Sequence, residues 1–452
     1  MTRAGTAALA VLAAAALAPA ARASFAPPVQ LATAKYVVNA AAATDAAGTT
    51  SVVATGTTSG TLLFEHPRGG AWSPGARLPC RPSGVAGPIV DARGDGALGI
   101  AWRVDQPRKY TGIAVAMRDP GGMLSEPMAV AGPDAGGVRH PALAIDRAGD
   151  ALVAYNSATA RVHLNLQGAI SIAHRNAGGP FSTPTVVDRA VSSPPAVGLG
   201  SDGNGIVAWA HSRRVYVVSV APDGSIGKVK SFAAPTGIRS LVAAAGSGGA
   251  ATVAWTSHRS VESRTPRTRY YVRALSRAAG RAFGAVRDVA TTTRFIGEIR
   301  VAADDAGRVT LAWTEDHYGR APSAGKNEIT SAVRSATARV GGPFAAAREV
   351  ATRRTRYFST PAVAAAGGRA ALAWGLDALR HELGVQAAIG PAGGLGPPQT
   401  VVVKQLQPGY YRSPPAITVA LDPNGTATVL YEEPVAGPSG PVGTRLMAAE
   451  GG

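Results

Sequence analysis

One phrase recurs along this chain of 452 residues, and its spacing restricts the fold more than any other feature. Its clearest copies read DRAGDALVAY (Asp146 to Tyr155), DDAGRVTLAW (Asp304 to Trp313) and DPNGTATVLY (Asp422 to Tyr431). Aligned on the last residue of the phrase, eight copies end at Ala54, Trp102, Tyr155, Trp209, Trp255, Trp313, Trp374 and Tyr431, which lie 46 to 61 residues apart. A glycine stands six residues before each of these positions. Self-similarity at this period predicts a fold built from repeated units.

Each unit has the pattern of four short β-strands. An apolar run, a turn with the repeat glycine and a second apolar run predict a hairpin. Four copies have the full turn sequence D-x-x-G, with Asp45, Asp146, Asp304 and Asp422. Asp accepts hydrogen bonds from nearby backbone N–H groups, and Gly takes the positive φ of such a turn. After each hairpin comes a strand-like run such as AISIAH (Ala169 to His174). A bulky residue and an apolar one six positions later, as in Phe181 and Val187, then predict a fourth strand.

Four strands in about fifty residues is the period of a β-propeller blade. Immunoglobulin-like domains need about twice this length, and β-helix coils need much less. The last unit ends after its third strand, whereas Phe25 and Leu31 near the N-terminus have the spacing of a fourth strand. We therefore predict an all-β protein, a single eight-bladed β-propeller with four-stranded blades, whose N-terminal strand completes the last blade and closes the ring.

The predicted domains are a signal peptide at residues 1–23 and the propeller at 24–452. The blades are predicted at 35–79, 80–131, 132–188, 189–233, 234–290, 291–351, 352–402, and 403–450 together with 24–34.

The N-terminus has the three parts of a secretory signal peptide. Arg3 precedes an apolar run from Ala7 to Ala18, and ARA at residues 21–23 is an A-x-A cleavage signal. The apolar run is too short to span a bilayer, and no later segment is long and apolar enough to do so. We expect a secreted or extracytoplasmic protein cleaved near Ala23. The one cysteine, Cys80, has no partner for an internal disulfide.

The chain is strongly basic, with a net charge of +17, and removing Arg3 and Arg22 with the signal peptide leaves +15. A basic exported protein adheres to anionic polymers, and export argues against nucleic acid as the partner. An Arg-rich genome composition explains the charge equally well. The expected partners are an anionic polysaccharide, a cell-wall polymer or an acidic protein. We expect a monomer without cofactor or metal.

The repeat resembles those of exported bacterial propeller proteins in the broad sialidase-like superfamily. Sialidases carry an Asp-box, S-x-D-x-G-x-T-W, in a turn of each blade. Here the pattern is D-x-x-G-x-x-x-x-A-aromatic, and it lies in the first hairpin rather than the last. The resemblance is architectural, since a fold does not by itself imply a function.

Chain direction divides the predicted loops between two rims, and the candidate binding residues lie on the rim opposite the D-x-x-G turns. They are Arg139, His140, Arg239, Arg294, Arg356, Tyr357, Tyr410, Tyr411 and Arg412. The loops after the aromatics add further polar residues, among them His211, Arg213, Arg214, His258, Arg259, Glu432 and Glu433. Arg with Tyr suits recognition of carboxylates or phosphates, although an ordinary solvated rim has the same composition.

Two functions follow from these residues. The first is a non-catalytic binding or scaffold propeller with an Arg/Tyr-rich rim. The alternative, implied by the resemblance, is a sialidase-like glycoside hydrolase acting on an acidic glycan, with Tyr357, Tyr410 or Tyr411 as nucleophile and Glu315 or Asp316 assisting. The repeat residues themselves are interpreted as structural: Asp146, Gly149, Trp209, Trp255, Trp313 and Trp374.

Overall fold

The repeat forms eight four-stranded antiparallel sheets in a computed structural model of the chain. The structure describes residues 24–34, 39–56, 60–78, 87–94, 96–106, 109–131, 137–162, 165–190, 193–234, 237–261, 267–320, 327–354, 358–376, 382–405, 416–437 and 440–452. The predicted signal peptide and Cys80 lie outside these residues.

The first four blades follow one another along the chain. Blade 1 contains β2 (Asn39–Thr44), β3 (Thr50–Gly56), β4 (Gly60–His66) and β5 (Ala76–Leu78). Blade 2 contains β6 (Ile89–Arg93), β7 (Ala97–Gln106), β8 (Lys109–Arg118) and β9 (Met128–Ala131). Blade 3 contains β10 (Gly137–Ile145), β11 (Ala151–Val162), β12 (Asn165–Arg175) and β13 (Thr185–Asp188). Blade 4 contains β14 (Ala196–Leu199), β15 (Gly205–His211), β16 (Arg214–Val220) and β17 (Lys230–Ala233).

The second half repeats the plan. Blade 5 contains β18 (Gly237–Ala245), β19 (Ala251–Val261), β20 (Arg267–Arg277) and β21 (Arg287–Thr292), with a 3₁₀ turn at Ser247–Gly249. Blade 6 contains β22 (Phe295–Ala303), β23 (Arg308–Arg320), β24 (Asn327–Arg339) and β25 (Arg348–Arg354). Blade 7 contains β26 (Ala362–Ala366), β27 (Arg369–Leu376), β28 (Glu382–Pro391) and β29 (Gln399–Gln405). Blade 8 contains β30 (Ile417–Leu421), β31 (Ala427–Gly437), β32 (Gly440–Gly451) and β1 (Val29–Ala34).

The N-terminal strand closes the ring, as predicted. β1 pairs antiparallel with β32, from Val29 opposite Ala448 to Ala34 opposite Thr444. Just before β1, the N–H of Ala26 donates to the carbonyl oxygen of Glu450 at 2.7 Å. The first and last strands of the chain thus share one blade, and the all-β eight-bladed propeller is confirmed.

The D-x-x-G turns are held by their aspartates. The carboxylate of Asp146 accepts hydrogen bonds from the N–H groups of Ala148 and Asp150, both at 2.9 Å, and Asp422 binds its own turn in the same way. Gly149 has φ +93°, in the left-handed region that favours glycine. These turns and those between third and fourth strands define the turn rim. The second-to-third hairpins and the connections between blades define the opposite loop rim.

The closing aromatics of the second to eighth repeats pack against the preceding blade. Trp255 in β19 belongs to the same core cluster as Val215 and Val217 of blade 4, and Trp209, Trp255, Trp313 and Trp374 are all fully buried. Because successive strand residues point to opposite faces, the core continues from blade to blade around the ring. Burying an aromatic side chain of this size stabilises a fold by about 3 kcal/mol.

One prediction about the fourth strand was wrong in detail. We expected Phe181 and Val187 at the two ends of one strand, but β13 begins at Thr185 and Phe181 lies before it. The N–H of Ser182 donates to the carbonyl oxygen of His174 in the third strand at 2.7 Å, so the chain is already fixed there. Phe181 packs between blades from an irregular segment, and an even spacing did not require a continuous strand.

Charged side chains bridge the central channel at the turn rim. Arg93 of blade 2 donates to the carbonyl oxygen of Ala303 at 3.2 Å and lies 3.8 Å from the Asp305 carboxylate, both in blade 6 on the opposite side of the ring. Arg147 of blade 3 binds the same carboxylate at 2.7 Å. We call these contacts the cross-ring bridge.

Within the described residues, no helix has the length and apolar character needed to cross a membrane.

Candidate functional site

The second-to-third hairpins differ in length, and the difference creates a notch in the loop rim. β15 of blade 4 ends two residues after Trp209, whereas β11 of blade 3 runs seven residues past its aromatic, Tyr155, and β19 of blade 5 runs six past Trp255. At about 3.3 Å per residue, the flanking hairpins extend about 13 Å or more beyond blade 4. We call this recess, with His211–Arg214 as its floor, the blade 4 notch.

One wall of the notch carries two arginines in direct opposition. Arg259 of β19 and Arg269 of β20 are cross-strand partners in the register of the hairpin. They share the face of Trp255, which packs on blade 4, and both side chains are exposed. Within the described ranges, neither guanidinium has a carboxylate at ion-pair distance. Like charges directly opposite in a sheet are destabilising, so this pair calls for an anion that the described residues do not supply.

The floor of the notch is a tight hairpin. His211 and Arg214 pair as its last residues, and between them Ser212 and Arg213 have φ +49° and +60°. Positive φ at both central residues is the type I′ turn that matches the twist of a hairpin, a position where Asn or Gly is usual. Arg213 is exposed, and Arg214 donates to the Ser231 hydroxyl at 2.7 Å. The floor therefore adds a third exposed arginine to the pair in the wall.

Beside the turn, His211 is fixed by three groups. Its Nε2 lies 3.0 Å from Oδ2 of Asp188, which comes from the end of blade 3. The same oxygen accepts the indole N–H of Trp209 at 2.6 Å. The imidazole stacks on the ring of Tyr216, with centroids 4.3 Å apart and planes 8° from parallel. Its Nδ1 lies 3.2 Å from the hydroxyl of Ser212.

The other face of the blade 5 hairpin carries aromatic rings. Tyr270 lies between His258, at a centroid distance of 6.0 Å, and Phe295 of blade 6, at 5.5 Å. The guanidinium of Arg239 stands 4.9 Å over the Phe295 ring. Arg239 and Arg294 were both predicted from the sequence as rim residues. In the structure Arg239 stands over Phe295, and Arg294 directly precedes Phe295 in the chain.

The remaining predicted rim residues divide into two groups. His140 is exposed at a bulge of β10 with φ +48°, and the backbone of Arg139 pairs with Asn156. The others lie outside the described residues, and these are Arg356, Tyr357, Tyr410, Tyr411 and Arg412. The nucleophile candidates of the hydrolase hypothesis are among them.

Glu315 and Asp316, the acids of that hypothesis, are both buried. Glu315 accepts the indole N–H of Trp313 at 3.2 Å and faces Arg334 at 3.6 Å. Asp316 accepts from Ser331 at 2.5 Å, and burial raises the pKa of its carboxyl. Adjacent strand residues point to opposite faces, so these two carboxyls lie on opposite faces of blade 6 and do not converge.

Sequence reasoning missed Asp188, Ser212 and Arg269. Asp188 belongs to blade 3 and His211 to blade 4, so the spacing of the repeat gives no sign that they meet. Ser212 stands in a short polar turn of ordinary composition. Over the described ranges, no group of three or more His, Cys, Asp or Glu residues is arranged to hold a metal ion.

Known proteins resemble this chain in shape rather than in sequence. No protein-family profile and no curated protein sequence matches it. An ulvan lyase of polysaccharide lyase family PL25 is 11% identical, with 84% of this chain and 98% of the lyase covered and a TM-score of 0.48. A lectin from Burkholderia pseudomallei is 12% identical, with 82% and 100% covered and a TM-score of 0.47. A lectin of Aleuria aurantia in complex with Fucα1-6GlcNAc is 11% identical, with 83% and 100% covered and a TM-score of 0.39.

Similarity at this level carries no argument about ligand or reaction. The propeller architecture stands on the strand topology of the chain itself.

Proposed function

We propose that the protein is an exported binding propeller that recognises a polyanionic glycan through the blade 4 notch. The observation that carries this proposal is the opposed pair Arg259 and Arg269, exposed in the notch wall without a carboxylate partner among the described residues. Arg213 on the floor adds a third exposed guanidinium. Planar guanidinium groups bind carboxylate and sulfate groups with two parallel hydrogen bonds, which suits acidic sugar units.

The distribution of charge supports the same site. Residues 237–292, which form blade 5, include nine arginines and two acidic residues. Two acidic residues near this part of the loop rim already have partners, since Asp188 binds Trp209 and His211 and Glu315 faces Arg334. A surface with one sign of charge concentrates polyanions before contact and holds them in a salt-dependent way.

A binding experiment tests the proposal with two matched double variants. Immobilised heparin and polygalacturonate serve as sulfated and carboxylated probes. Changing Arg259 and Arg269 together to Ala should weaken binding at least tenfold, which is about 1.4 kcal/mol. Changing Arg281 and Arg287 to Ala removes the same charge from the turn-rim side of blade 5, where both side chains are exposed, and should change binding much less.

Binding should also weaken as NaCl rises from 50 to 300 mM, because screening acts on exposed charges. Equal affinities for the wild type and both double variants would contradict the proposed site. Binding of neither probe at low salt would contradict the function itself.

A further inference from the structure

The floor of the blade 4 notch holds a second arrangement, which anion binding does not use. We infer that Ser212, His211 and Asp188 form a nucleophile, base and orienting acid that hydrolyse a carboxylic ester. The assignment of the activity is independent of the proposed function. The identity of the ester rests on the proposed function: it is an O-acyl group on the acidic glycan that the notch arginines hold.

Asp188 fixes the tautomer of the imidazole. A carboxylate oxygen 3.0 Å from Nε2 accepts the N–H there, which leaves the lone pair of the neutral ring on Nδ1. The side chains of Asp188 and His211 are 19% and 17% exposed, so water competes weakly for this bond. The Trp209 indole N–H on the same oxygen and the stacked Tyr216 ring leave the imidazole little freedom to turn.

The free nitrogen faces a hydroxyl. Ser212 Oγ lies 3.2 Å from Nδ1 of His211, and Ser212 is exposed at the tip of the turn. A nucleophile within about 3.2 Å of a base that a third group orients is the arrangement that activates serine. Ser212 also holds φ +49°, a conformation that costs a non-glycine residue free energy. The turn keeps the hydroxyl beside the imidazole and open to the notch.

The reaction balances with water as the co-reactant. Ser212 Oγ attacks the carbonyl carbon of the ester while its proton passes to Nδ1 of His211. The imidazolium then gives that proton to the departing alkoxide oxygen, so the alcohol leaves and the acyl group stays on Ser212. Water attacks the acyl-enzyme through the same base, and the carboxylic acid is released. Asp188 is a positioning residue that stabilises the imidazolium.

A fluorophosphonate, which labels activated serines, is the direct probe, and hydrolysis of p-nitrophenyl acetate is the second measurement. We expect labelling of the full-length protein to map to the peptide containing Ser212. Ser212→Ala should abolish labelling, and His211→Gln should slow it at least about 100-fold. Ser260→Ala, at an exposed serine of the neighbouring hairpin, is the matched control and should leave labelling unchanged.

Asp188→Asn tests the positioning role. Loss of the carboxylate should slow labelling, and Asp188→Glu, which keeps a carboxylate as the acceptor for the imidazole N–H, should restore part of the rate. A merely structural role would give Asp188→Asn and Asp188→Glu the same rate. Thermal melting of each variant checks that it is folded.

Absence of labelling in the wild type, or equal labelling of folded Ser212→Ala, overturns the inference. The two proposals fail separately. A wild-type protein that binds heparin but is not labelled retains the proposed function and loses the esterase. A protein that is labelled but binds neither polyanion retains the esterase and loses the glycan.

Discussion

Two neighbouring glutamates in β31 show how one residue step along a strand changes carboxyl chemistry. Glu433 faces blade 7, where its carboxylate accepts from Nζ of Lys404 at 2.5 Å. Glu432 points to the other face, toward blade 1, and is 4% exposed. Its Oε1 has no hydrogen-bond partner among the described residues, and burial raises the pKa of this carboxyl to about 7. Glu432 is therefore a cost to stability whenever it is ionised.

This cost predicts a pH dependence of stability. A carboxyl whose pKa is raised in the folded state is protonated there while still ionised in the unfolded chain, so stability falls as pH rises from about 4.5 to about 7. Glu432→Gln should remove this loss, which is on the order of 3 kcal/mol. The stability gained by the variant should be larger at pH 8 than at pH 5, as measured by urea unfolding.

Glu433→Gln is the matched control, since it removes the ion pair with Lys404 and should lower stability at pH 8 instead. An equal gain for Glu432→Gln at both pH values would show that Glu432 does not titrate in the folded protein between them.

At the scale of the element, β1 decides whether the ring has a free edge. Leu31 packs into the interface between blades 8 and 1, beside Leu446 and Ala448, while Val29 in the same strand is 50% exposed. The strand completes blade 8 through main-chain hydrogen bonds, so its loss would leave β32 unpaired at the edge of a sheet.

Two substitutions in β1 test whether the packing of this strand closes the ring. Leu31→Asp places a charge at the interface and should cost about 2–4 kcal/mol, followed by aggregation through the opened edge. Val29→Asp introduces the same charge at a side chain that is 50% exposed and should cost under about 0.5 kcal/mol. Thermal unfolding and light scattering measure both effects. Equal melting temperatures would contradict closure by β1.

The strands also show which features of the fold could be predicted from the repeat in the sequence. Blade number, strand order and closure could be predicted because each blade packs on its neighbours through the same positions of the repeat. Trp102 and Trp374, for example, occupy the same position in their repeats, and each packs against the preceding blade. The notch could not be predicted, because it depends on where β15 and β19 end rather than where they begin. Arg259 was predicted to lie on the rim, but its opposition to Arg269 depends on register across a loop.

For the whole molecule, charge is distributed unevenly around the ring. The excess of arginine in blade 5 contrasts with residues 416–452 of blade 8, which contain one arginine and four acidic residues. Three of these acids, Asp422, Glu432 and Glu433, are buried. A polyanion approaching such a ring is therefore attracted to one sector, and the molecule orients before it binds.

The cross-ring bridge also acts on the whole ring, because it joins blades on opposite sides. Asp305→Asn should cost about 1 kcal/mol alone, since the pairs with Arg93 and Arg147 are partly exposed. Combined with Leu31→Asp, the loss should exceed the sum of the single losses by more than about 0.5 kcal/mol, beyond the usual additivity of distant sites. Denaturant unfolding of the double-mutant cycle measures this coupling.

Asp223→Asn, at an exposed turn of blade 4 outside the channel, makes the same charge change and should add to Leu31→Asp without coupling. Strict additivity in both cycles would show that the bridge and the closing strand do not support each other.

The closing strand and the cross-ring bridge hold the ring together at different places. Without the bridge, the ring would open first where its two ends meet, in blade 8, which lies a quarter turn from both blade 2 and blade 6. Because the bridge joins opposite blades at the turn rim, a ring whose closing strand β1 separates from β32 can widen at the loop rim while the turn rim stays together. Any early breathing of this ring should therefore widen the face that carries the blade 4 notch.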